Sequence, residues 1–466
     1  MPGTFFGLNI AYTGLAAAQI GQDVTGQNIA NAGTDGYSVQ SAQQQANEAY
    51  TTSDTVSFPL PGSLGTGVSV VRINRARDQF LDTQVRGASA DTNFQASQSG
   101  ALKQVDDAFG EPSDRGLNAA IGNFFNAFHD LSNTPENLGV RATTIAQGDA
   151  LARTFQGVGR SLAAVKAGVD GRAADDVRSI NDYGTQIAAL NVTIKQETAQ
   201  GQQPNDLLDR RDVLLDHLSA LVNVAVQPNG DGTVNVQIGS AALVTGTDAS
   251  KVTQAGLTAS GDLKSGELAG LAQTQTRIAG YQGQLDTLAA SVVSQVNAVH
   301  QSGYALDGTT TGINFFGPAG TTAATIGVDP NLEGHPERLA AASAPTPPAT
   351  TASAGDASNA EKLAGLKDAT DATAGDPLFG QTLQGYYHQT VSDAGGRAAS
   401  AKSATDTASA TLTQLTRQRA SVTGVSTDSE MVNMMKYQRA YQASARVVQT
   451  MDDMIGTLIN NLFAAR

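Results

Sequence analysis

The chain has 466 residues, 43 acidic against 29 basic, giving a formal charge of -14. A surface of that sign repels polyanions, which excludes binding that depends on neutralising nucleic-acid phosphates. Cysteine is absent, so thiol catalysis, thiolate metal sites and disulfides are excluded as well, and a chain this long calls for two or three domains.

From Phe5 to about Gln27 the apolar residues follow helical spacing, with Phe6, Ile10, Ala17, Ile20 and Val24 on one stripe and Phe5, Leu8, Tyr12 and Leu15 on the adjoining one. The cluster from Asn31 to Gly36 is rich in residues that tolerate left-handed backbone, and it ends that helix. No Lys or Arg precedes Arg72, and no apolar run reaches the ~18 to 20 residues of a membrane span, so a soluble chain without a cleaved secretory signal is expected. Across 55–75, Val56, Phe58 and Leu60 alternate before Pro61 and Gly62, and Val68 and Val70 alternate after Gly67, which predicts a small hairpin.

Helical seams follow. Leu117, Ile121, Phe124, Phe128 and Leu131 mark one, and Phe155, Val158, Leu162, Val165 and Val169 then Ile180, Tyr183, Ile187, Leu190 and Ile194 predict a helix far longer than average. Leu271, Ile278, Leu285, Val292 and Val299 lie one heptad apart, the spacing of helices packed nearly parallel in a bundle. Between these seams, Val222, Val224 and Val226 alternate, Asn229 to Gly232 turns, and Val234, Val236 and Ile238 alternate on return, predicting a β-containing insertion. Residues 343–358 are rich in Pro, Ala, Thr and Ser and read as an exposed loop.

The last helix carries the sharpest period. Met434, Tyr441, Val448, Ile455 and Leu462 lie seven apart, and Tyr437, Met451 and Leu458 occupy the position three further on, with Ser444 the polar member. Periodicity alone leaves a core helix and an assembly surface equally open.

No chemistry competes with this. The histidines at 129, 217, 300, 335 and 388 are scattered, and no metal-ligand, nucleophile-elbow or phosphate-loop spacing occurs. Asn229 to Gly232 and Leu306 to Gly308 read as turns rather than calcium loops, and Asp209-Arg-Arg-Asp212 as a solvated helix face with local ion pairs. The residues give no sign of an enzyme, a cofactor or a metal.

Two terminal motifs bear a resemblance. Gln27-Asn-Ile-Ala-Asn31 followed by Thr34-Asp-Gly-Tyr-Ser38, and Met434 to Arg446 with Asp453-Met454 and Leu458-Ile-Asn460, resemble the ends of bacterial flagellar axial proteins, the rod, hook and hook-associated subunits. Asn28, Ile29, Asn31, Gly36 and Tyr37 match the N-terminal signature, and the C-terminal seam residues match the helix expected to line the inner tube. Interior blocks at 204–212, 233–238, 266–271 and 296–303 resemble the members placed between hook and filament. The resemblance is weakest from about 318 to 375.

The resemblance implies a non-enzymatic structural subunit of the hook–filament junction, a platform for filament assembly. It would be exported by the flagellar type III route to the extracellular flagellum. Implied partners are copies of itself in a ring or tube, the hook protein, the second junction protein, and an export chaperone and export apparatus before assembly. The alternatives are the hook protein, the second junction protein or a secreted binding protein. The expected fold is mainly α with a smaller β-containing domain. Its terminal helices, 1–45 and 425–466, form a coiled-coil inner domain; 46–205, 263–304 and 358–424 form a long-helix bundle; 206–262 and 305–357 form a β-containing outer domain.

Overall fold

The computed structural model describes residues 5–50, 63–370 and 377–464, and their side chains other than those of 458 and 460–464. In chain order it contains α1 (Phe6–Ala30), β1 (Gln40–Ala46), β2 (Val68–Arg75), α2 (Gln79–Phe109), α3 (Leu117–Asn133) and α4 (Leu138–Ala199). There follow α5 (Asn205–Leu221), β3 (Ala225–Pro228), β4 (Val234–Ile238), β5 (Ala241–Thr245), β6 (Asp248–Ala249), α6 (Gln254–Ala259), α7 (Glu267–Ser302), α8 (Ser358–Gly365), α9 (Leu383–Thr423) and α10 (Thr427–Ala464). The mainly helical class with small antiparallel sheets is the one expected from the seams, and α4 is the single long helix they predicted, at 62 residues.

The chain forms two compact units, one of 1–90, 179–263 and 409–466, the other of 91–178 and 264–408. This division departs from the three-part scheme. The sheet β3-β4-β5-β6, an antiparallel meander, belongs to the first unit together with the terminal helices. The reason is polar as much as apolar: buried Asn191 of α4 donates to Val234 O at 2.9 Å and Gly246 O at 2.6 Å, and accepts from Arg211 of α5 at 3.0 Å. Val234, Val236, Ile238, Leu243 and Val244 are buried beneath it.

Two local expectations are also corrected, and a third lies partly outside the described residues. Residues 206–221 are helical, and Val222 caps α5 rather than opening a strand, so β3 begins at Ala225. Residues 305–357 contain only isolated bridges and one short 3-10 turn, because Gly, Pro and Asp interrupt any extended run. In the first hairpin, Val56, Phe58 and Leu60 fall outside the described residues. β2 pairs with β1, from Gln40 opposite Arg75 to Ala46 opposite Val68. β1 reads Gln-Ser-Ala-Gln-Gln-Gln-Ala and has no apolar alternation to betray it.

The second unit has an aromatic core. Phe124 of α3 meets Phe315 and Phe316, Phe128 meets Phe315, and Phe125 packs on Phe124; all are buried, with ring centroids 4.9 to 5.6 Å apart in edge-on or tilted geometry. His300 of α7 is sealed against Phe315. Its Nδ1 lies 2.7 Å from Ile313 O, which can only accept, and its Nε2 accepts from Ala340 N–H at 3.0 Å, so the ring is neutral with the proton on Nδ1.

Burial pushes the His300 imidazole down to about 4. Between that value and the ordinary ~6.5 the unfolded chain takes up the proton first, so this contribution to stability is full above about pH 6.5 and is lost as pH falls, by about 3 kcal/mol in all. The urea midpoint of the second unit should fall between pH 7 and pH 4.5. An unchanged midpoint would contradict a neutral, sealed His300.

Candidate assembly site

α1 and α10 run antiparallel along each other, and the contact is built from small residues on one side and large ones on the other. A Cβ placed on Gly7 would lie 2.7 Å from Met451 Cε, on Gly14 3.1 Å from Ser444 Oγ, and on Gly21 2.5 Å from the Tyr437 ring. Each step is one heptad along both helices in opposite directions. Glycine in a helix interior costs about 1 kcal/mol relative to alanine; here that cost is offset by a close approach no larger residue permits. The buried positions of α1 are accordingly Ala11, Ala17, Ala18, Gly21, Thr25 and Asn28.

One heptad beyond Gly21 and one before Tyr437, the same frame places two polar residues. Asn28 Nδ2 donates to Glu430 Oε2 and to Gln40 O, both at 2.8 Å, while its Oδ1 accepts from Tyr37 OH at 2.8 Å and Gln40 N–H at 3.0 Å. Every hydrogen-bonding position of the buried amide is used. Burial, with Asp209 and Glu430 nearby, pushes the Tyr37 phenol up to about 12, so it remains a donor. Glu430 lies in the first turn of α10, where the helix dipole favours an acid.

Gly36 makes the turn that brings Tyr37 back to Asn28. Its φ is +75°, and a Cβ there would lie 2.0 Å from Val213 Cγ2. Gly36→Ala should destabilise the first unit by roughly 3 kcal/mol, combining left-handed strain with overpacking. Adding Val213→Ala should recover only the clash. A wild-type urea midpoint for Gly36→Ala would contradict this.

Behind the turn, Ser38 is tied to α5 by Asp209, whose Oδ1 accepts from the Ser38 hydroxyl at 2.9 Å. Arg75 reaches Asp209 at 2.6 Å and Asp212 at 3.0 Å; Arg77 and Arg86 also pair with Asp212, and Arg86 and Arg419 both reach Asp216, at 2.7 and 2.6 Å. The 209–212 segment is therefore no solvated face: Asp209 and Arg211 are buried, and their partners come from distant segments. Burial alone would raise the Asp212 carboxyl, but Arg77, Arg75 and Arg86 outweigh it and hold it below the ordinary range. Such a network fixes one arrangement of the segments more than it adds net stability.

Of the sequence-predicted residues, the structure brings together Asn28, Gly36 and Tyr37 around the lock. Ile29 is half-buried, and Asn31 caps α1, its Nδ2 donating to Gln27 O at 3.0 Å. Tyr437 and Met451 face the glycines, and Met434 lies 3.7 Å from a Cβ on Gly26. Val448 and Ile455 are half-buried, Tyr441 is 37% exposed, and the side chains of Leu458 and Leu462 lie outside the described residues. The α1 stripe is corrected: Phe5 and Tyr12 are each 66% exposed and Ile20 is exposed, because the contact selects small residues. Glu430 and the Asp209 network were missed. The available signal for Glu430 was its place in the Tyr437 heptad frame.

Among the described residues no cluster of His, Asp or Glu is placed to hold a metal ion, and no helix is long and apolar enough to cross a membrane.

The sequence and the fold have counterparts in known proteins. Residues 102–316 match the flagellar hook-associated protein FlgK helical domain, 417–462 the flagellar basal body rod FlgEFG protein C-terminal family, and 8–37 the flagella basal body rod protein family. The chain is 28% identical to flagellar hook-associated protein 1 of Bacillus subtilis, covering 99% of each chain. It is 24% identical to that of Salmonella typhimurium, covering 97% of this chain and 99% of the relative. Its fold is similar to the flagellar hook junction protein FlgK from Burkholderia pseudomallei, with a TM-score of 0.62 at 17% identity over 73% of this chain and all of the other. From its two rod-type ends to its helical centre, the chain is similar to flagellar hook-associated protein 1.

Proposed function

We infer that the chain is a non-enzymatic structural subunit of the bacterial flagellum, forming the junction between hook and filament and the platform on which the filament is built. The observation that carries this is the α1–α10 pair: its inner contact is closed and register-locked, while Tyr12 and Ile20 on α1 and Met431, Val432, Met435 and Met454 on α10 remain exposed. Apolar side chains left uncovered in a row on two terminal helices mark an association surface. Assembly would cover them with the equivalent helices of neighbouring copies.

On this reading Asn28, Gly36 and Tyr37 hold the pair in shape, and Met434, Tyr441, Val448 and Ile455 serve the tube lining. The subunit leaves the cell through the flagellar export apparatus, escorted by a chaperone, and then contacts the hook protein below and the second junction protein above. The match across 102–316 favours the junction subunit over the hook protein. Purified protein added to isolated hooks, followed by flagellin, should give filaments only where the protein has bound. Flagellin polymerising equally on bare hooks would overturn the assignment.

A further inference from the structure

Beside the β3–β4 turn, the charged network of the first unit holds more arginine than aspartate. Arg75, Arg77, Arg86 and Arg419 pair among themselves with Asp82, Asp209, Asp212 and Asp216. Arg211 stands next to them without a carboxylate of its own: it is 7% exposed and makes no ion pair among the described residues. Its Nη1 donates to two neutral acceptors, Asn191 Oδ1 at 3.0 Å and Gly232 O at 2.7 Å, while its Nε is buried with no hydrogen-bond partner. Burial pushes the guanidinium down to about 10, with Asp212 opposing and Arg75 and Arg86 assisting, so it is still charged at neutral pH. A buried charge without a counter-charge is costly.

Arg211 lines a cavity of about 340 Å³, and so do Arg75, Arg77 and Arg86, against two carboxylates, Asp82 and Asp212. Arg77 adds further unused donors. Its Nε and Nη2 lie 3.1 Å from Asp82 and 3.2 Å from Asp212, yet neither has a hydrogen-bond partner. Three buried guanidinium nitrogens, on two residues, therefore lack an acceptor in a wall that is positive on balance. Unsatisfied buried donors in a native fold point to a bound water or ion, and an anion answers the charge as well. Arginine holds oxyanions by charge-assisted hydrogen bonds.

We propose that this cavity binds one small oxyanion of the phosphate or sulfate type, with Arg77 and Arg211 donating to it and Arg75 and Arg86 adding positive charge. An ion with more than two acceptor oxygens suits donors that come from separate segments, one just before α2 and one on α5. Bound there, the ion ties α2, α5 and the β3–β4 turn together, so the stability of the first unit rises with the free anion. The site goes beyond the assembly reading and does not depend on it.

The test titrates inorganic phosphate into the purified full chain at neutral pH, with ionic strength held constant by sodium chloride, and follows the heat of binding and the urea midpoint of the first unit. One phosphate should bind per chain, and the midpoint should rise with phosphate at constant ionic strength. Thr83 of α2 is exposed and lines the same cavity. Thr83→Glu sets a carboxylate at its mouth and should weaken phosphate binding about tenfold or more, whereas Thr83→Gln should keep it within about twofold. Arg211→Met should abolish the rise with phosphate, whatever its midpoint in chloride alone. No saturable binding by the wild-type chain, or wild-type affinity in Thr83→Glu or Arg211→Met, would overturn the proposal. Filament assembly plays no part in the readout, so either result leaves the junction assignment untouched.

Discussion

With Asn28 replaced by Leu, the first unit should lose roughly 4 kcal/mol, seen as a fall in the urea midpoint and in the helical signal of the chain ends. The amide bonds Glu430, Tyr37 and both backbone groups of Gln40. A leucine leaves all of them facing an apolar surface, and removing one member of a buried polar set costs more than the bonds themselves contribute. The loss should follow the chemistry. Asn28→Asp retains acceptors for Tyr37 and Gln40 N–H but sets two acids face to face, so it should be little better. Adding Glu430→Gln to Asn28→Asp turns that contact into donor against acceptor and should recover part of the stability. Equal stability for Asn28→Leu and the wild type would show that the lock does not hold the ends.

Gly21→Leu should have an effect of similar size on the helix pair and a larger one on filament formation. Even a bare Cβ at this position would lie 2.5 Å from Cδ1 and 2.6 Å from Cε1 of Tyr437, and a leucine forces the helices apart, at a cost of about 1 to 3 kcal/mol where the structure can adjust. The separation would also pull Glu430 from Asn28, because one frame carries both contacts. Cells carrying Gly21→Leu should make hooks without filaments, and Tyr437→Ala in the same chain should restore some filaments by making room. Normal swimming with Gly21→Leu alone would contradict close packing at this point.

The sequence disclosed those parts of the molecule in which large apolar residues do the packing. Leu117, Ile121, Phe124, Phe128 and Leu131 of α3 and Leu271, Ile278, Leu285 and Val292 of α7 are all buried as their spacing requires. Tyr437 and Met451 likewise sit on the partner-facing side of α10. α1 was misread because its inner face is Gly, Ala, Thr and Asn, residues that carry little hydrophobic signal, while Tyr12 and Ile20 are held outside. Long-range polar contacts leave no local trace: Asn28 and Glu430 are 402 residues apart, and the partners of Asp209 and Asp212 lie in β2, in α2 and just before it. The charged run at 209–212 therefore looks identical to a solvated helix face until the fold closes over it.

The absence of cysteine permits a direct test of the central claim, that the chain ends form one antiparallel pair in a fixed register. A Cβ on Gly14 lies 3.9 Å from Ser444 Cβ, within the range a disulfide spans without backbone movement. The full chain carrying Gly14→Cys and Ser444→Cys, recovered from cells that have built hook–filament junctions with it, should run on a non-reducing gel as an internally cross-linked monomer. The pair Gly14→Cys and Met451→Cys, one heptad out of register, should not. Absence of the bond in the first variant, or equal cross-linking in the second, would contradict the account.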